Sequence, residues 1–193
     1  MARPRTFERD AALRQALELF WSRGYDAVSM SDLQRLLGIG RQSLYNTFGD
    51  KEQLFTEALE AYIGRSKAML AAELGPDSDL VALRAYFERI IEQVTEGEPR
   101  RGCLVTNTTV GRSPHDQRTA ELTGRSMAMM EEACRHALAN AKGVGQIADA
   151  VDVDSVAKML TAVSAGLAVL ARGGTSVPDL RDVVEAVFAG FTR

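Results

Sequence analysis

The 193-residue sequence predicts an all-α fold of about nine helices. Apolar residues recur at i, i+3, i+4 and i+7 along most of the chain, and no stretch of six or more residues alternates as a half-buried strand would. Glycines, prolines and Ser/Asp caps also punctuate the chain at helix-length intervals. With 46% hydrophobic and 25% charged residues the composition is neither disordered nor membrane-like. A chain of this length buries roughly 70% of its unfolded surface, enough for a core without metal or disulfide staples.

The first helix is expected from about Phe7 to Arg23, where Leu13, Ala16, Leu17 and Phe20 share a face and Gly24 supplies the stop. Ser29, with Asp32 three residues on, caps a short second helix that turns Leu33, Leu36 and Leu37 inward and closes at Gly38. A third spans about Arg41 to Phe48, with Leu44 and Phe48 facing back toward Leu33 and Leu37. Asp50 and Gln53 then cap a long helix from Lys51 to about Leu74. The fifth runs from about Asp79 to Glu96 and is ended by Gly97 and Pro99; the sixth is short, Gly102 to Val110. Ser113-Pro114 reads as cap and first-turn proline of a seventh helix reaching Lys142, with Met127, Met130, Cys134, Ala137, Leu138 and Ala141 on one face. Asp152 or Asp154 opens an eighth that Gly173-Gly174 breaks after Arg172, and Ser176 with Pro178 starts the ninth, whose apolar face is Leu180, Val183, Val184, Val187, Phe188 and Phe191. The expected domains are a head, 1–50, and a larger domain, 51–193.

Several classes of function are disfavoured by the counts. Two cysteines and two histidines support neither a disulfide framework nor a four-ligand zinc site, so no metal or cofactor is expected and a reducing cytoplasm is the natural setting. The Arg-rich start leads into charged residues rather than an apolar run, so no signal peptide is expected. The longest nearly apolar stretch, Met159 to Ala171, is too short to span a bilayer. Asn107-Thr108-Thr109 fits a glycosylation pattern by chance. Walker, nucleophile-elbow, HExxH and CxxC patterns are missing, and Ser113, His115 and Asp116 read as a capped helical turn. An enzyme is not expected; the alternative is an all-α fold that uses a cavity in its larger domain for chemistry.

The 26 acidic and 23 basic side chains give a net charge of −3, which argues against wholesale nucleic-acid binding. The charge is unevenly placed, however. Residues 1–51 carry 8 Lys/Arg against 6 Asp/Glu, a net of +2, and residues 52–193 carry the other 15 against 20, a net of −5.

Two short helices joined at Gly38-Ile39-Gly40 and followed by a long one form a helix-turn-helix pattern, whose second short helix can enter a DNA major groove. Gln42, Ser43 and Asn46 can reach base edges, while Arg41 and Tyr45 can reach bases or phosphates. Lys51 opens the next helix, where the positive helix end and the ammonium both favour phosphate. Ser29 and Thr47 complete the candidate set. Arg3 and Arg5, around Pro4, suit a minor-groove arm.

The stretch Ala27-Val28-Ser29-Met30-Ser31-Asp32-Leu33 through Gly38-Ile39-Gly40-Arg41-Gln42-Ser43-Leu44-Tyr45-Asn46-Thr47-Phe48-Gly49-Asp50-Lys51-Glu52 resembles the DNA-binding domain of the TetR family of transcriptional repressors. The likeness covers about residues 7 to 55. It departs from the family at Asn46-Thr47, where many members carry a histidine and an aromatic, a difference that bears on operator preference.

The resemblance implies a homodimer on a palindromic double-stranded operator, with the last two helices of each subunit forming a four-helix bundle and a ligand pocket in the larger domain controlling DNA affinity. Val156, Leu160, Val163, Leu167 and Leu170, with Val184, Val187 and Phe188, are the candidate dimer residues; burial inside one chain is the alternative. Arg100-Arg101-Gly102-Cys103-Leu104 puts Cys103 at a helix start behind two arginines, both of which favour thiolate. Gly-Cys-Leu here resembles a branch of the family whose repressors respond to electrophiles or oxidants. Cys103 is therefore either a sensor or a small packed residue, and Asn107, Met127, Met130 and Met159 are the other candidates for contact with an unknown small-molecule effector. The functional expectation is a cytoplasmic repressor released by that effector or by modification of Cys103. The alternatives are an activator or a ligand-independent regulator.

Overall fold

The computed structural model describes residues 8–192. Among them the chain forms nine α-helices: α1 (Arg9–Arg23), α2 (Met30–Leu37), α3 (Arg41–Phe48), α4 (Lys51–Glu73), α5 (Leu80–Thr95), α6 (Leu104–Gly111), α7 (Gln117–Gly143), α8 (Val153–Arg172) and α9 (Val177–Ala189). A 3-10 turn, Ser113–His115, precedes α7. The chain parts into two compact units between Ile63 and Gly64. This division lies inside α4 rather than at the expected 50/51, because Leu54, Phe55, Ala58, Leu59 and Tyr62 of α4 are buried in the core of the first unit.

That core is built on helical spacing. Ala12, Ala16, Leu17 and Phe20 of α1, Leu33 of α2, and Leu44 and Phe48 of α3 are all withdrawn from water. Phe20 meets Phe55 edge-on at 5.2 Å, and Trp21 meets Tyr62 at 5.0 Å. Such pairs add roughly 0.5–1.5 kcal/mol to the burial of their rings.

In the second unit, Leu83, Phe87, Ile91, Leu138, Ala157, Leu160, Leu167, Leu180 and Phe188 are buried in one cluster drawn from α5, α7, α8 and α9. Phe87 and Phe188 cross at 77° with centroids 5.6 Å apart. Arg84 bonds Glu185 at 2.8 Å and Arg181 bonds Glu88 at 2.8 Å, an antiparallel ladder between α5 and α9. The 75–79 connection is clamped by α7 and the turn after it: Asn140 donates to the carbonyls of Pro76 and Ser78, and Gln146 donates to the Asp79 carboxylate while accepting from the Leu80 amide.

Further expectations are corrected, the first being Leu36 of α2, expected inward but 44% exposed. Ser113-Pro114 does not open α7: the proline ends up in the separate 3-10 turn, and Asp116 caps α7 by accepting from the Thr119 amide. The candidate dimer residues of α8 and α9 are not one partner-facing surface, since Leu160 and Leu167 of α8 and Val184 and Phe188 of α9 are buried within this single chain. Finally, α8 is twenty residues long and an 18-residue stretch of it has a mean hydropathy of 1.5, enough by length and composition alone to cross a membrane. Its apolarity has a packing cause, because Ala157, Leu160, Leu167, Ala168 and Ala171 fill the core while Met159, Val169 and Leu170 remain exposed.

Candidate nucleic-acid interface

The pair α2–α3 is fixed at both ends by local hydrogen bonds. At the start of α2 the Asp32 amide donates to Ser29 Oγ at 3.1 Å, and the Ser29 amide donates to Asp32 Oδ2 at 3.0 Å. The Ser29 hydroxyl also donates to that carboxylate, and these bonds hold the Asp32 carboxyl below its ordinary range. Gly38 ends α2 at φ +65°, a left-handed conformation in which glycine is unstrained. At the start of α4 the Gln53 amide donates to Asp50 Oδ1 at 2.8 Å, and the Asp50 amide donates back to Gln53 Oε1 at 3.1 Å. Helix α3 is thus held between two capped neighbours.

Leu44 and Phe48 anchor α3 inward, and the helical period turns Arg41, Gln42, Ser43, Tyr45 and Asn46 outward, all exposed. Gln42 Nε2 donates to Asn46 Oδ1 at 2.9 Å, and the Arg41 guanidinium lies 5.5 Å from the centre of the Tyr45 ring. Arg41, Gln42 and Tyr45 line an open surface depression. The face therefore offers amide, hydroxyl, phenol and guanidinium groups and no carboxylate, a set suited to base edges and phosphates.

Lys51 stands at the N-terminus of α4 with its ammonium 4.0 Å above the ring of Tyr25, which itself packs against Phe20 and Phe55. This cation–π contact ties a phosphate-binding candidate to the aromatic core. Tyr25 escaped the sequence reasoning because its partner lies 26 positions away, a long-range pairing no local pattern encodes. Arg9 was also missed; it pairs with Glu57 at 2.5 Å and lies 5.1 Å from the Phe48 ring centre.

Two candidates are turned to structural work. Thr47 is half-buried and donates its hydroxyl to the Ser43 carbonyl at 2.7 Å, and the Ser29 hydroxyl is engaged in the α2 cap. Arg3 and Arg5 lie outside the described residues.

In the second unit Cys103 is the N-cap residue of α6, half-buried against the core. Gly102 before it has φ +65°, and a Cβ there would stand 2.8 Å from the Ala168 carbonyl oxygen of α8. Asn107 donates to the Arg101 carbonyl at 2.9 Å, which closes the turn leading into α6. Met130 is buried in the core and Met127 half-buried, but Met159 is 40% exposed. Its expected place on an inward face is therefore wrong: Leu160, its neighbour, is the inward residue. Among the described residues no His, Cys, Asp and Glu side chains gather as a metal site.

Residues 12–58 match the family described as bacterial regulatory proteins, tetR family, and residues 80–188 match the tetracyclin repressor-like C-terminal domain. The chain is 34% identical over 183 residues to the HTH-type transcriptional repressor ComR of Escherichia coli (strain K12), covering 94% of this chain and 87% of that protein. It is 30% identical over 187 residues to the HTH-type transcriptional regulator YezE of Bacillus subtilis (strain 168), covering 96% of each. A cysteine mutant of the TetR family regulator CifR, solved with 26-bp double-stranded operator DNA, shares the fold with a TM-score of 0.83 at 30% identity, over 96% of this chain and 97% of that one. The two domain matches take in both units, and the chain belongs to the tetR family of bacterial regulatory proteins: it is a helix-turn-helix transcriptional regulator and not an enzyme.

Proposed function

We propose that this chain is a cytoplasmic repressor that binds a palindromic double-stranded operator as a homodimer and is released by a small molecule or by modification of Cys103. The observation that carries the reading is the outward face of α3, polar throughout and flanked by Lys51 on its Tyr25 platform. The 26-bp operator held by CifR and the repressor role in the name of ComR support it by likeness. A two-fold operator calls for a two-fold protein. Met159, Val169, Leu170 and Val183, exposed on α8 and α9, supply apolar surface for that contact. In this reading the first unit, with Lys51 at the start of α4, reads DNA, and the second unit senses and dimerises.

Release follows from differential affinity. An effector entering among α6, α7 and α8, near Cys103, Asn107, Met127 and Met130, displaces α4 and alters the separation of the two recognition helices. It weakens operator binding only by as much as it prefers that second state.

The test uses a duplex from upstream of the chain's own gene or a neighbouring one. Tyr45→Ala and Lys51→Ala are expected to weaken binding, and Lys51→Ala to lower the salt slope by about one phosphate contact. Unchanged binding by both variants with helicity intact overturns the interface. Transcription from that promoter rises on removal of a repressor, and a fall identifies an activator.

A further inference from the structure

We infer that Gln42 reads an adenine in each operator half-site and that Asn46 is the positioning residue that holds the Gln42 carboxamide in the reading orientation. The inference rests on α3 lying in the major groove, as proposed above.

Gln42 and Asn46 are four residues apart on one exposed face of α3, and Gln42 Nε2 donates to Asn46 Oδ1 at 2.9 Å. A carboxamide nitrogen carries two hydrogens. One is given to Asn46, which leaves Gln42 with one N–H donor and the Oε1 acceptor side by side on a planar group. Adenine presents the complementary pair in the major groove, the N7 acceptor beside the N6 amino donor. Guanine presents two acceptors there, N7 and O6, and would leave Oε1 facing an acceptor. Without Asn46 both Nε2 hydrogens are free, so the amino group can also turn to the two guanine acceptors and the preference for adenine falls. With Asn46 in place, Gln42 cannot turn over alone without setting its Oε1 against Asn46 Oδ1, so the two carboxamides hold each other in register.

The rest of the face is compatible with this division. Arg41 is drawn toward the Tyr45 ring, and Leu44 and Phe48 fix the helix from behind, so Gln42 is presented from a rigid support. Both residues of the pair are exposed, and their replacement leaves the core intact.

Duplexes recovered from a randomised pool by the full chain define the half-site, and binding is then measured with each base pair exchanged in turn. The wild-type chain is expected to lose about tenfold or more in affinity when one adenine is exchanged for guanine, as for a bidentate contact. Gln42→Ala abolishes the preference at that base pair. Asn46→Ala weakens it several-fold at the same base pair and leaves the other preferences unchanged. Asn46→Asp restores it, because the carboxylate still accepts from Gln42 Nε2. Asn46→Ala keeping the wild-type preference, or losing preference at a different base pair from Gln42→Ala, overturns the positioning role. A wild-type preference for guanine at the Gln42-dependent position overturns the adenine assignment. Failure of the wild-type chain to enrich any duplex overturns the DNA reading itself and this inference with it.

Discussion

Gly102 and Ala168 approach so closely that a Cβ on Gly102 would lie 2.8 Å from the Ala168 carbonyl oxygen. Gly102 also sits at φ +65°, so an L side chain there meets backbone strain and a steric clash at once. Gly102→Ala is expected to lose about 2–4 kcal/mol of stability. Urea denaturation measures it, and an unshifted midpoint refutes the close packing of the α6 start on α8.

The two thiols differ in environment. Cys134 is fully buried, and burial, then nearby Glu131, pushes its thiol up to about 12. Iodoacetamide at neutral pH should modify Cys103 first and reach Cys134 only on unfolding. Equal inertness of both sites, followed by mass spectrometry, removes Cys103 as a sensor.

Cys134 also sets an alkaline limit. Its folded value lies above the ordinary value of 9.0, so the neutral thiol's contribution is complete below about pH 9 and is lost as pH rises toward 12. Burial pushes the Tyr86 phenol in the same direction. Stability should therefore fall above pH 9, and Cys134→Ala should make that fall shallower while lowering the plateau. An identical pH profile for the variant contradicts the assignment.

Asp116 sets a limit at the acid end. The Thr119 hydroxyl donates to its carboxylate at 2.7 Å, and Arg112 pairs with it at 2.7 Å; both hold the carboxyl below its ordinary value of 3.8. A depressed folded value means the contribution is present above pH 3.8 and lost as pH falls through the folded value. Asp116→Ala should cost about 1 kcal/mol at neutral pH, as loss of a helix cap does, and should weaken the acid dependence. Denaturation midpoints between pH 2 and 7 decide it.

Leu170 is 41% exposed on the outer side of α8, whereas Leu160 is buried. Leu170→Glu is expected to convert the proposed dimer to a folded monomer in sedimentation. Leu160→Glu should unfold the chain. A dimeric Leu170→Glu variant moves the association surface elsewhere.

Much of the fold was legible because helix ends carry local chemistry. Ser29 with Asp32, Asp50 with Gln53, Asp152, and Ser176 all cap where their spacing implied. Ser113-Pro114 misled because the same cap-and-proline pair also suits an isolated turn, and Asp116 with Thr119 competes for the start of α7. In the candidate interface, the exposed face of α3 followed from its period, but the Lys51–Tyr25 contact did not, since it depends on how α4 returns to the end of α1. For α8, spacing shows which residues share a face and not whether that face meets its own chain or another. Leu160 and Leu170 sit in one stripe and end in opposite environments because the second unit covers only part of the helix.

The division of α3 between Leu44 and Phe48 inside and Arg41, Gln42, Ser43, Tyr45 and Asn46 outside has an evolutionary corollary. Exchanges on the outer set leave the aromatic interior untouched, so target preference can drift by single steps through viable intermediates. A duplicated copy of such a gene can acquire a new regulon while inheriting an unaltered scaffold.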